Sequence, residues 1–136
     1  TLFRSEHLGA MGFEYPGGRP RVVLSKDVRR IGAGMMKEMA DLLMAGNGLK
    51  TEDIAHFVLH SAGRRVIEQV GRLMSLDESR LAHSRAVLQG YGNMSSATVV
   101  FVLDDLLRSG EPVPGDWGLM IALGPGFAAE GALLRW

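Results

Sequence analysis

Two polar side chains stand where the local pattern could support chemistry. His60 follows the apolar run Phe57-Val58-Leu59 and precedes the small residues Ser61, Ala62 and Gly63. A strand that runs into a helix start puts such a residue at the carboxyl edge of a sheet, where open α/β folds bind ligands. Small neighbours let a ligand approach the ring. The helix N-terminus beyond can hold an anion, and Arg64 and Arg65 add positive charge there. The plain alternative is a structural histidine beside a solvated first turn. Asn93 lies in Gly92-Asn93-Met94-Ser95-Ser96, also at a helix start. Its amide is either an N-cap or a neutral, preorganised donor to an oxyanion. The second role requires Asn93 and His60 to meet in space. Gly124-Pro125-Gly126-Phe127 is a rigid turn, or a backbone wall that a ligand can approach because Cβ is absent.

The elements that position these residues follow from hydrophobic periodicity. Residues 1–21 read as irregular, with a turn signal at Tyr15-Pro16-Gly17-Gly18. Arg21-Val22-Val23-Leu24 reads as a strand. Val28, Ile31, Met35, Met39 and Leu42 then mark one face of a helix over 26–45, stopped by Gly46-Asn47-Gly48. Phe57-Val58-Leu59 is a second strand, apolar enough to be buried on both faces. A helix from Arg64 carries Val66, Ile67, Val70, Leu73 and Met74. This strand–helix–strand–helix order predicts a layered α/β domain with parallel pairing. A further helical stretch spans 78–89. Residues 95–109 suit a strand by β-propensity, but their length and Gly110 favour a helix. That helix is apolar all round, so it must lie buried between layers. Two closing strands, 117–123 and 128–136, form an antiparallel hairpin.

Composition narrows the function. The chain has 136 residues, with 15 basic and 15 acidic side chains and hence zero formal charge. That disfavours a strongly basic nucleic-acid binder. With 46% hydrophobic residues it is no acidic disordered tail. There is no cysteine, so these residues hold no disulfide or thiol nucleophile. No apolar run is long enough to span a membrane, and the chain reads as cytoplasmic. The start at Thr1 reads as a piece of something longer. His7 and His83 read as exposed, and His56 as structural. Glu68, Asp77, Asp104 and Asp105 read as solvated helix faces. No His, Asp or Glu pair has metal-ligand spacing, and no phosphate loop or nucleophile elbow is present.

These motifs together resemble the type III polyketide synthases, the chalcone and stilbene synthase family. Phe57-Val58-Leu59-His60-Ser61-Ala62-Gly63 is similar to that family's strand-His-x-x-Gly segment. Tyr91-Gly92-Asn93-Met94-Ser95-Ser96-Ala97 is similar to its catalytic Asn segment, and Trp117-Gly118 with Gly124-Pro125-Gly126-Phe127 to its ending. Ser5-Glu6-His7, Lys26-Asp27-Val28 and Leu133-Leu134-Arg135-Trp136 fit as well, in the right order. The ketoacyl-synthase III branch, with a different His motif and no such hairpin, is the less close relative.

The resemblance implies an α/β, thiolase-like half: a layered mixed sheet with helices, including a buried central helix. Residues 1–136 would be the C-terminal domain, the nucleophilic Cys lying in an N-terminal half of the same protein. The family needs no cofactor beyond its CoA thioester substrates, malonyl-CoA and acyl-CoA, and works as a homodimer. His60 would hold the Cys as a thiolate. His60 and Asn93 would stabilise the enolate formed by decarboxylation. Gly63, Ser95, Gly124, Pro125 and Gly126 would line the site. Arg65 falls near a CoA contact, and Val22 falls where plant enzymes carry a cavity-shaping Phe. Ser61-Ala62 in place of Pro-Gly and this Val22 point away from plant starters, towards a bacterial-type enzyme and a product built from malonyl units alone. Two other readings are a ketoacyl-synthase III enzyme using a carrier protein and a non-catalytic CoA-binding subunit that pairs with a Cys-bearing chain.

Overall fold

The computed structural model describes residues 1–3, 6, 11–124 and 128–136, apart from the side chains of Met11 and Leu24. A four-stranded mixed sheet lies at its centre. It contains β1 (Leu2–Phe3), β4 (Ile54–Leu59), β5 (Trp117–Gly124) and β6 (Ala128–Arg135), in the order β1-β6-β5-β4. β4 and β5 run parallel, with Phe57 opposite Leu119 and Leu59 opposite Ile121. β5 and β6 form the expected antiparallel hairpin, from Trp117 opposite Arg135 to Gly124 opposite Ala128.

Period-two alternation divides the strand side chains between two cores. Phe57, Leu59, Leu119 and Ile121 pack with α1 (Val28–Gly46) and α2 (Arg64–Met74), through residues such as Met36, Ile67 and Val70. Val58 points to the other face, where it meets Val87 of α3 (Ala82–Tyr91) and Val99, Val102 and Leu106 of α4 (Ala97–Ser109). Helices therefore cover both faces of the sheet, which is why β4 reads as a continuous apolar run rather than an alternating one. The expected layered α/β architecture with a mixed sheet is present.

Three local differences have physical reasons. Residues 1–21 are not all irregular: β2 (Met11–Glu14) pairs antiparallel with β3 (Arg21–Leu24) across the Tyr15–Gly18 turn. This hairpin is a separate two-stranded sheet, so β3 is not the parallel partner of β4 that the alternation implied. Sequential order does not reveal that β5, sixty residues later, takes that position. Next, α4 is buried along Thr98, Val99, Val102 and Leu106, whereas Val100, Phe101 and Leu107 are 61%, 41% and 51% exposed. The described residues supply a layer to only one side of this apolar helix. Finally, His83 is not exposed: Asp105 lies 2.7 Å from its Nδ1 and Glu111 3.4 Å from its Nε2. His56 is the satisfied structural residue expected, 2.8 Å from Asp116 through Nε2 and edge-on to the Trp136 ring. No helix among the described residues is long and apolar enough to cross a membrane.

Candidate active site

The ends of β4 and β5 lie side by side because the two strands are parallel. His60 continues β4 by one step, donating its backbone N–H to the Ile121 carbonyl at 2.9 Å. Its ring is almost wholly buried, at 4% exposure. The ring Nδ1 faces the backbone of Leu123, with the carbonyl oxygen at 3.0 Å and the N–H at 3.2 Å. Nε2 points to Asn93 Oδ1 at 3.1 Å. These contacts decide how the ring can carry protons. A neutral ring with its hydrogen on Nε2 donates to Asn93 and accepts from the Leu123 N–H. A charged ring donates from Nε2 to Asn93 and from Nδ1 to the Leu123 carbonyl. Nε2–H is a donor in both states, and the backbone satisfies Nδ1 in both.

The floor beneath the histidine is pinned by two buried serines. Ser84 of α3 offers its hydroxyl to both backbone groups of Leu59, donating to the carbonyl at 3.1 Å and accepting from the N–H at 3.3 Å. Ser61 donates to the Ser84 carbonyl at 2.6 Å. β4 is the edge strand of the sheet, and Ser84 stands where a further strand would otherwise pair.

Asn93 is held by the loop that precedes α4. It is not the helix cap, since α4 begins at Ala97 after Ser96. Its Oδ1 instead accepts the Ser95 N–H at 2.9 Å, a local turn typical of Asn. That contact fixes the amide orientation, because rotation by half a turn would set two donors against each other. Nδ2 then donates one hydrogen to the Ala62 carbonyl at 3.3 Å, and its second hydrogen has no acceptor among the described residues. Gly92 supplies the approach with φ +73° and ψ −163°, a conformation essentially restricted to glycine. Thr98 closes the loop by accepting the Met94 N–H at 2.8 Å. The arrangement thus brings two N–H groups together at the carboxyl end of a parallel strand pair, one amide N–H with no acceptor among the described residues and one imidazole N–H held by the Asn93 Oδ1. Such a pair can stabilise charge that develops on an oxygen.

The other expected site residues fall at varying distances from this centre. Ser95 is in it, through its N–H, in a left-handed conformation with φ +60°. Gly63 caps the start of α2, and a Cβ there would meet nothing within 4 Å. Gly124 ends β5, next to the Leu123 that clasps His60, and a Cβ there would meet only Ala128 at ordinary distance. Neither glycine is demanded by the backbone of the described residues. Pro125 and Gly126 lie outside those residues. Arg65 is exposed on the first turn of α2 and shares a cleft with Lys26, Arg29, Arg30 and Arg72. Val22 is exposed on the separate hairpin, with Phe13 as its cross-strand partner. Sequence reasoning missed Ser84 and the Leu123 backbone. A serine inside an amphipathic helix is the sole trace of the first. The second leaves no trace, because every residue has the same backbone groups.

Comparison with known proteins agrees with this fold. A family model for the C-terminal part of 3-oxoacyl-[acyl-carrier-protein] synthase III matches residues 44–136. The 3,5-dihydroxyphenylacetyl-CoA synthase of Amycolatopsis balhimycina is 39% identical over 98 residues, which are 72% of this chain and 26% of that protein. The 1,3,6,8-tetrahydroxynaphthalene synthase of Streptomyces peucetius subsp. caesius is 38% identical over 142 aligned positions, 97% of this chain and 34% of that protein. The chain therefore spans about a third or less of these relatives' length. Among solved structures, PKS-I from the brown alga Ectocarpus siliculosus superposes with a TM-score of 0.84 at 30% identity, covering 95% of this chain and 36% of that one. The bacterial type III tetrahydroxynaphthalene synthase of Streptomyces coelicolor A3(2) superposes with a TM-score of 0.90, over 99% of this chain and 38% of that one. At 24% identity, that second likeness speaks for the fold alone.

Proposed function

Because this chain belongs to the family of 3-oxoacyl-[acyl-carrier-protein] synthase III C-terminal domains and its relatives include type III polyketide synthases, we propose that it is the C-terminal catalytic half of a type III polyketide synthase. The observation that carries the reading is the 3.1 Å approach of His60 Nε2 to Asn93 Oδ1 at the ends of β4 and β5. Two motifs 33 residues apart meet there, as the chemistry requires.

In this reading a Cys of a preceding half holds the acyl group as a thioester, since these 136 residues contain no cysteine. His60 in its charged form stabilises the thiolate before acylation. Malonyl-CoA then enters with its thioester oxygen facing the second Asn93 Nδ2–H and taking over the His60 Nε2–H from Asn93 Oδ1. The bond to the carboxylate breaks and CO2 leaves. The electron pair passes into the thioester as an enolate, whose oxygen the two donors hold. The enolate carbon attacks the acyl-Cys carbonyl, the C–S bond breaks, and the Cys leaves as a thiolate. Repetition extends the chain before it cyclises. No cofactor takes part. Relatives named for dihydroxyphenylacetyl-CoA and tetrahydroxynaphthalene support a polyhydroxylated aromatic product, and this reading builds it from malonyl units alone.

The partner half covers the exposed side of α4, where Val100, Phe101 and Leu107 lie beside the edge-to-face pair of Tyr91 and Phe101. The complete protein is a cytoplasmic homodimer. Asn93→Asp tests the reading most sharply, because it keeps the oxygen that anchors the Ser95 N–H and sets an acceptor-only carboxylate where the amide donor stood. In the full-length protein, malonyl-CoA decarboxylation should fall about 100-fold or more in Asn93→Asp and in His60→Ala. Decarboxylation at the parent rate in both variants sinks the proposal.

A further inference from the structure

β4 and β5 do not finish their ladder at the candidate site. In a parallel pair the Leu123 N–H would go to the His60 carbonyl, and the Leu123 carbonyl would take the Ala62 N–H. Instead the Ala62 N–H turns back onto the His60 carbonyl at 2.9 Å. The His60 ring stands in both vacated places, with Nδ1 at 3.2 Å from the Leu123 nitrogen and 3.0 Å from its oxygen. The two contacts serve different states of the ring. Nδ1 accepts from the N–H when the ring is neutral with its hydrogen on Nε2, and donates to the carbonyl when the ring is charged. A ring that passes between these states needs both groups within reach, so the placement of Leu123 matters to both.

That placement depends on the Leu123 side chain, because both polar groups of its backbone face the ring. Leu119, Ile121 and Leu123 alternate onto the face of the sheet that α1 covers. There a Cβ built at Gly32 would come within 3.1 Å of Leu123 Cδ1, so Leu123 would have to give by a few tenths of an ångström. Gly32 is buried in the interior of a 19-residue helix, where glycine is the poorest helix former after proline. Its φ is not positive, so the backbone does not call for glycine. A local rule broken without local compensation marks a functional place. Gly34, two residues on, shows the contrast: it is exposed, and a Cβ there would meet nothing within 4 Å. We propose that Gly32 is a positioning residue for His60. The bare helix surface it leaves seats Leu123 at the height where its N–H and its carbonyl both serve Nδ1. The kinetic side of this inference rests on the proposed use of His60 in condensation, and the geometric side does not.

The test uses the full-length protein with nitrogen-labelled histidine rings and two readouts. Nuclear magnetic resonance reports the His60 Nδ1 signal, assigned by its loss in His60→Gln, and CO2 release from malonyl-CoA reports the rate. Gly32→Ala should move the Nδ1 signal and lower kcat about three- to tenfold, with KM within about twofold of the parent. Leu123→Ala removes the seat from the other side and should move the same signal. Gly34→Ala makes the same change in the same helix without the contact, and should leave signal and rate at the parent's values. Shortening the partner, in Gly32→Ala/Leu123→Val, should return both towards the parent. A parent-like signal and rate in Gly32→Ala overturn the inference, because Leu123 then turns aside freely. An equal fall in Gly34→Ala overturns it too, as does a double variant no better than Gly32→Ala. If the parent releases no CO2 from malonyl-CoA, the condensing reading fails, and the Nδ1 signals alone still decide whether Gly32 positions the ring.

Discussion

Ser84→Ala gives the most direct check on how the fold holds its histidine. The Ser84 side chain is fully buried, and its hydroxyl serves both the N–H and the carbonyl of Leu59, the residue before His60. Among the described residues no strand pairs with the outer edge of β4, so no other strand there can take over these two groups. Removing the hydroxyl leaves a buried donor and a buried acceptor unmet. Each such loss costs about 1–3 kcal/mol. Alanine returns about 0.5 kcal/mol through its better helix propensity. The net destabilisation is therefore about 1.5–5.5 kcal/mol, which lowers Tm by roughly 5–20 °C in a chain of this size. Urea and thermal unfolding followed by circular dichroism measure it, with Ser84→Thr as the variant that keeps the hydroxyl. An Ala variant within about 0.5 kcal/mol of the parent would refute the argument, because water or a relaxed backbone would then be replacing the serine.

Other perturbations test neighbouring claims. Gly92→Ala should destabilise by about 1–3 kcal/mol and lower decarboxylation, read by unfolding and by CO2 release, because Gly92 turns the chain into Asn93 at φ +73°. Gly131→Ala should cost about 1–3 kcal/mol in urea unfolding, since a Cβ there would come within 2.6 Å of Leu43 Cδ1 and 2.7 Å of Met39 Cγ. The Val113 N–H and then His56 hold the Asp116 carboxyl below the usual carboxylate range. Its folded value lies below its unfolded one, so its stabilisation is present above about pH 4 and fades as pH falls further. The stability gap between parent and Asp116→Asn, followed by unfolding at stepped pH, should accordingly close in acid. Phe101→Asp on the exposed side of α4 should leave the packing on its buried side intact but weaken association with the proposed preceding half, measured by co-purification of the two halves expressed separately.

Much of the candidate site is legible in the residue order. His60 and Asn93 stand in segments whose small neighbours and helix starts single them out, and the elements around them follow from a short continuous apolar run and from helical periods near four. The main departures share a cause. The β2–β3 hairpin was hidden because glycine and proline dominate its turn region, and β3 could be given a parallel partner only by assuming that sequential strands are neighbours. The open side of α4 was hidden because an apolar helix requests cover on every face without saying which chain segment provides it.

By itself the sequence determined most of the order of elements, the burial of β4 on both faces, and the identity of the histidine and asparagine. Tertiary structure alone decided the state those residues are held in. The Leu123 backbone clasps His60 Nδ1 from 63 residues away, and Ser84 anchors Leu59 from 25. Cations from two helix starts share one cleft. The physical reason is common to all three. Backbone groups are the same in every residue and long-range charge is additive, so their effect depends on strand register and helix packing, which no local pattern encodes.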